Sequence, residues 1–132
     1  MKEIENIELT YLKTNDYQQL KDATIEAYSM MPESYWKEKQ IKTLIDKFPE
    51  GQVVIKINNE LAGCSLSITI DYKKFENRHT YKQITGNYTF NTHNPEGDIL
   101  YGIDIFVKPE FRGLRLRRRL YDYRKELCER LN

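Results

Sequence analysis

One segment, Ile99–Leu120 (ILYGIDIFVKPEFRGLRLRRRL), constrains the fold more than any other part of the chain. Leu100–Val107 is an apolar run rich in branched and aromatic residues, which predicts a buried strand. Pro109 ends it, because proline cannot continue a central ladder. Gly113 lets the backbone turn or approach another group closely. Leu116, Leu120, Tyr123, Leu127 and Leu131 then recur at helical spacing, so a helix runs to the last residues. A strand that feeds straight into a helix leaves unbonded N–H groups at the corner, with the positive end of the helix dipole behind them. Arg112, Arg115, Arg117, Arg118 and Arg119 add formal charge at the same place. A phosphate or pyrophosphate is the natural guest of such a corner. The same arginines also fit a solvated helix start paired with Glu110, Asp122 and Glu126. Nucleic-acid binding is the weakest reading, because a short basic run lacks an accompanying aromatic stacking motif.

The pattern resembles motif A of the GNAT N-acetyltransferase superfamily. There a strand ending in V-x-P is followed by (Q/R)-x-x-G-x-(G/A), and loop amides hold the pyrophosphate of acetyl-coenzyme A. Val107-Lys108-Pro109 and Arg112 match the approach. Arg115 and Arg117 occupy the two small positions, a departure that keeps the N–H groups but adds bulk. The resemblance implies an α/β (α+β) fold, a mixed and mainly antiparallel sheet flanked by helices. It also implies transfer of an acetyl group from acetyl-coenzyme A to a small-molecule or protein amine. Arg112, Gly113, Leu114, Arg115, Leu116, Arg117 and Arg118 would hold the pyrophosphate. Ile105, Phe106 and Val107 would hydrogen-bond the pantetheine arm. Asp104 would be the general base, since an acidic residue on or near this strand can deprotonate the amine in such enzymes.

The segments YDYRKELCERLN, FPEG and ITGNYTF look like the acetyltransferase-like N-terminal region of larger bacterial proteins that continue into a carbon–nitrogen hydrolase domain. On that resemblance residues 1–132 form a single GNAT-like domain lacking its C-terminal strands. The hydrolase's Cys, Lys and Glu would lie outside this sequence, so neither Cys64 nor Cys128 takes that role. The alternative function is then a non-catalytic acyl-coenzyme-binding or docking module of the larger protein. A domain that ends after this helix would expose the Leu100–Val107 strand, which predicts a homodimer.

Periodicity supplies the other elements. Ile4–Leu12 alternates as a half-buried strand. Asn15 and Gln18 have capping-box spacing before a helix from about Asp16 to Ser29. A second helix runs from about Ser34 to Phe48 and stops at Pro49-Glu50-Gly51. Gln52–Ile57 and Glu60–Asp71 form a hairpin across Asn58-Asn59, with Gly63 marking a bulge. The stretch 72–98 is longer than a hairpin needs. Residues 79–85 suit a short helix and 87–91 an extended piece. Its aromatics either pack on the sheet edge or wall the acceptor site.

Composition narrows the class. With 39% hydrophobic and 31% charged residues and a net charge of +1, the chain reads as a globular protein without a bulk electrostatic case for nucleic acid. No apolar run reaches the roughly 20 residues that span a bilayer, and the N-terminus has no signal-peptide core. Two distant cysteines in apolar contexts suggest buried free thiols and a cytoplasmic location. His79 and His93, without neighbouring cysteines, make no metal site and read as satisfied loop residues. Asp104 inside an apolar strand is costly unless paired. It is either a base tuned by partial burial or a carboxylate turned to solvent or to an arginine. Tyr88 and Tyr101 could each lend a hydroxyl to a cleft.

Overall fold

The computed structural model describes residues 3–75 and 80–131. The elements, in order, are β1 (Ile7–Tyr11), α1 (Tyr17–Ala27), α2 (Glu38–Lys47), β2 (Val53–Ile57), β3 (Glu60–Ile70), α3 (Tyr72–Phe75), α4 (Tyr81–Ile84), β4 (Ile99–Val107) and α5 (Leu116–Leu131). The sheet order is β1-β2-β3-β4, and all three pairings are antiparallel. Asn58 and Asn59 take φ of 50° and 67°, the left-handed pair that a tight hairpin turn requires. The β2–β3 register slips between Ile55 and Lys56, beside Gly63 as the sequence suggests.

Two apolar layers cover the sheet. Leu20 and Ala23 of α1 and Ile41 and Leu44 of α2 bury against Val54, Leu66, Ile68 and Phe106 on one face. Leu116 and Leu120 of α5 cover Val53, Ile55, Ala62 and Val107 on the other. Leu131, expected on the α5 stripe, is 47% exposed because the helix runs past the sheet. Cys64 is buried and Cys128 half-buried, and both are free thiols.

Three local expectations need correction. The cap before α1 is not made by Asn15 and Gln18. A short 3-10 turn, Thr14–Asp16, intervenes, and the Asp16 carboxylate accepts the Lys13 N–H at 2.9 Å and meets Lys56 Nζ at 2.9 Å. Helix α2 starts at Glu38 rather than near Ser34, because Gln40 Oε1 accepts the Lys37 N–H and caps it there. Trp36 is therefore outside the helix, its carbonyl accepting the Tyr17 hydroxyl at 2.7 Å. Residues 87–91 are not extended. Asn87, Tyr88 and Phe90 all have positive φ, so the segment coils tightly after α4 and drives Phe90 into the core.

Strand β4 is the outer strand of the sheet and carries a second irregularity. Leu66 pairs with Asp104 but Ser67 pairs with Gly102, so Ile103 is an extra residue. Such a bulge bends the strand and turns two consecutive side chains to one face. Ile103 and Asp104 both point to the α1/α2 side.

Candidate functional site

The bulge is held from behind by Arg124 of α5. Its Nε donates to Ser65 Oγ at 2.6 Å, and one Nη donates to the carbonyls of Leu66 at 3.0 Å and Asp104 at 2.8 Å. Gly102 leaves room for it, since a Cβ there would sit 2.5 Å from the guanidinium and push that side chain aside. Burial pushes the guanidinium below its ordinary value, which measures the cost of placing a cation there.

In front of the bulge lies an aromatic cleft of about 510 Å³. Asp104 forms its floor. One carboxylate oxygen accepts the Tyr28 hydroxyl at 2.8 Å and the other the Trp36 Nε1–H at 3.2 Å. The carboxylate is therefore neither turned to open solvent nor paired with an arginine. Only its backbone carbonyl meets one. Burial, followed by the charge and hydrogen bond of Asp104, raises the Tyr28 hydroxyl well above its ordinary value, and Arg117 acts weakly in the other direction. Tyr81 donates to the Ile103 carbonyl at 2.6 Å, and burial followed by the Asp104 charge raises it likewise.

The long 72–98 connection builds one wall. Thr80 caps α4 reciprocally with Gln83, which plants Tyr81 over Trp36 at a centroid distance of 6.5 Å. Tyr88 meets Trp36 edge-on at 6.2 Å, and Gln40 of α2 ties down the Tyr88 carbonyl. Tyr101 only buttresses Tyr81 at 6.2 Å. His93 lies elsewhere, accepting the Thr69 N–H at 3.1 Å and stacked on Phe48. His79 lies outside the described residues. No cluster of histidine, cysteine, aspartate and glutamate suited to a metal occurs among the described residues.

The second concavity, about 220 Å³, forms at the strand–helix corner and is lined by Val107, Phe111, Arg112, Gly113, Arg115, Leu116 and Arg117. The first helical bond of α5 runs from the Arg119 N–H to the Arg115 carbonyl. The amides of Leu116, Arg117 and Arg118 precede it and are the orphan donors of this 16-residue helix. Gly113 has φ of 93° with open space around its Cα, and Arg115 has φ of 60°. Arg115 stands where motif A has its first glycine, and it adopts the left-handed backbone that glycine would supply. Leu114 is exposed. Among the described residues no carboxylate is within ion-pair distance of Arg112, Arg115, Arg117, Arg118 or Arg119. Glu110 bonds Lys108 instead, at 3.1 Å, together with Glu60 and Glu26.

The open edge of β4 joins the two concavities. The Lys108 N–H bonds the Ala62 carbonyl of β3. Alternation along an antiparallel ladder then turns the N–H and C=O of Val107 and Ile105 outward, and the Ile105 carbonyl accepts the Tyr28 hydroxyl at 3.4 Å. Phe106 between them pairs with Cys64, and its ring is buried. Its backbone is thus spent within the sheet. From Asp104 to Val107 the edge spans about 10 Å.

Comparison of folds decides the class. The loading GNATL domain of CurA from Lyngbya majuscula superposes with a TM-score of 0.77 at 20% identity, covering 94% of this chain and 59% of that one. The fold is that of the GNAT superfamily. The GphF GNAT-like decarboxylase, solved in complex with isobutyryl-CoA, gives a TM-score of 0.69 at 13% identity, covering 88% of this chain and 56% of that one. Relatives also appear at the sequence level. "Probable hydrolase YhcX" of Bacillus subtilis (strain 168) is 36% identical over 97 residues, 74% of this chain and 19% of that protein. "Uncharacterized N-acetyltransferase YkwB" of the same strain is 34% identical over 82 residues, 62% of this chain and 36% of that protein. The chain spans about a fifth and about a third of these curated relatives. No family model matches it. No helix among the described residues is long and apolar enough to cross a membrane.

Sequence reasoning singled out Asp104 and the arginine corner but not Tyr28, Trp36, Tyr81 and Arg124, which the structure places beside Asp104. Their signal is weak, because each sits in a stretch whose pattern already reads as helix face or loop.

Proposed function

We propose that this domain binds an acyl-coenzyme A thioester, acetyl-coenzyme A in the first instance, along the open edge of β4 and transfers the acyl group to an amine in the aromatic cleft. The observation that carries the reading is the arrangement along one unpaired edge. An anion corner lies at one end, a carboxylate-floored cleft at the other, and outward backbone groups lie between.

The pyrophosphate would sit on the amides from Leu114 to Arg118, with Arg112 adding charge and Gly113 leaving room. The outward N–H of Ile105 and the outward N–H and C=O of Val107 would pair with the pantetheine amides as a strand does. An outward N–H would also polarise the thioester carbonyl, since a fixed donor stabilises the oxyanion without reorganising. Asp104 would receive one proton from the substrate ammonium. The neutral nitrogen attacks the carbonyl carbon, the C–N bond forms and the C–S bond breaks. The thiolate leaves and takes a proton from solvent, and the second proton lost by nitrogen also passes to solvent. Tyr28 stays protonated at neutral pH and keeps the Asp104 carboxylate aimed.

The test is calorimetric titration with coenzyme A, coupled to a thiol-release assay with acetyl-coenzyme A. Binding should weaken with added salt and weaken further in Arg112→Ala. A flat titration at millimolar ligand refutes the reading. Binding without turnover on any amine supports instead a docking module of a larger carbon–nitrogen hydrolase, a role consistent with the partial match to YhcX. An acyl-coenzyme A donor would put the activity in the cytoplasm. The unpaired edge of β4 also suits a second copy, and a strictly monomeric species by light scattering would dismiss that homodimer.

A further inference from the structure

The cleft lining specifies more than a generic amine. Among the described lining residues, Asp104 is the one carboxylate and Lys37 the one cation. Five rings, those of Tyr28, Tyr35, Trp36, Tyr81 and Tyr88, make up most of the wall. Trp36 packs on Tyr81, Tyr88 and Phe90 at centroid distances of 6.5, 6.2 and 5.5 Å, so the rings form one continuous apolar wall. Ring faces attract cations, and Tyr35 does so here. Lys21 Nζ lies 4.5 Å and Lys37 Nζ 5.3 Å from its centroid. A substrate with two or more ammonium groups would find a carboxylate for one only, and Lys37 repels the second. An uncharged amide-bearing peptide would leave the apolar walls poorly filled.

Resting on the acyl-transfer reading for its chemistry, we infer that the acceptor is a monoamine with a flat aromatic or similarly apolar body, its ammonium held at the Asp104 carboxylate beside the Tyr28 and Trp36 rings, its body laid against the wall of Trp36, Tyr81 and Tyr88. Polyamines and lysine-rich peptides are disfavoured by the same lining. A volume of about 510 Å³ accommodates a one- or two-ring amine and leaves space for the thioester end of the donor.

Trp36 makes the inference testable without turnover. It is the single tryptophan of the chain, and its Nε1–H bonds the carboxylate that would receive the ammonium. Its fluorescence should respond to 2-phenylethylamine in the whole chain with no coenzyme present. Two comparisons read the charge from the ligand side. 2-Phenylethanol, the same body without the cation, should bind at least about tenfold more weakly, as should spermidine. Asp104→Asn should abolish the preference of amine over alcohol. Equal affinities for amine and alcohol, or tighter binding of spermidine, overturn the inference. If Asp104→Asn fails to fold, the ligand comparison in the unaltered protein still decides. If 2-phenylethylamine binds as described but is never acetylated, the amine site stands and the transfer reading falls. If coenzyme A binds and spermidine alone is acetylated, the transfer reading stands and this inference falls.

Discussion

Replacing Arg124 with methionine tests the idea that the cleft face of the sheet is shaped from its opposite side. Methionine keeps most of the aliphatic stem and removes the guanidinium. Three donations are lost, to Ser65 Oγ, the Leu66 carbonyl and the Asp104 carbonyl. Hydrogen bonds from a charged donor contribute about 1.5–3 kcal/mol each, so the gross loss is roughly 4–9 kcal/mol. Two effects reduce it. The buried guanidinium costs several kcal/mol to desolvate, a cost visible in its lowered pKa. Water can also reach part of the site, because Arg124 is half-buried rather than enclosed. The net expectation is about 3 kcal/mol, within the range for a broken buried polar network. That corresponds to a fall in Tm of roughly 10 °C for a chain of this length. Urea denaturation measures the free energy directly. Because the Asp104 carbonyl anchors the bulge, Trp36 emission in the folded variant should also shift, although Arg124 does not touch Trp36. Arg124→Lys should recover only part of the loss, since one ammonium cannot span three acceptors in the guanidinium's planar geometry. A loss below about 1 kcal/mol with unchanged emission would refute the argument and leave Arg124 a surface residue of α5.

Other predictions follow from the site's electrostatics and backbone. Cys64, Tyr28 and Tyr81 are all raised when folded, chiefly by burial, from ordinary values of 9.0 for the thiol and 10.0 for the phenols. A raised group contributes stability that is complete below its unfolded pKa and lost as pH climbs beyond it. Thermal melts should therefore show little loss on this account up to about pH 9 and a falling Tm from about pH 10 upward, at no more than about 1.4 kcal/mol per unit for each protected group and less for the partly solvated tyrosines. An unchanged Tm at pH 11.5 would contradict the burial of these hydroxyls. Arg115→Gly should stabilise the chain by about 1 kcal/mol, because a left-handed non-glycine residue costs roughly that much, and coenzyme affinity should survive because the amides remain. A destabilised variant, by chemical denaturation, would show that the arginine side chain holds the corner.

The strand, the corner and the terminal helix were legible because each carries a local signal. These are a run of branched residues, a proline, and leucines at helical spacing. The Asn58-Asn59 turn was legible for the same reason, since asparagine tolerates the left-handed backbone the hairpin needs. The cap of α1 was misread because Asn15-x-x-Gln18 and Lys13-x-x-Asp16 lie two residues apart. Asp16 wins by also meeting Lys56 across 40 residues of chain, a contact no local pattern encodes. Residues 87–91 read as extended because threonine and aromatics favour strands. The demand of Phe90 for a place in the core outweighs that preference.

The chain's own order of residues determined which elements form, their succession and the positive corner, because turn chemistry and periodicity act over a few residues. The cleft was decided only in three dimensions. Tyr28, Trp36, Tyr81 and Asp104 come from a helix end, a lead-in loop, a one-turn helix and a strand. Each is unremarkable in its own neighbourhood. They converge because the bulge at Ile103 turns Asp104 towards α1, and that bulge persists because Arg124, reaching through from the far face, satisfies carbonyls on both strands beside it. A register shift of one residue is nearly invisible in sequence, since apolar side chains on either side of it suit the strand equally. Its position depends on the hydrogen bonds gained across the whole sheet, and those exist only once the fold has closed.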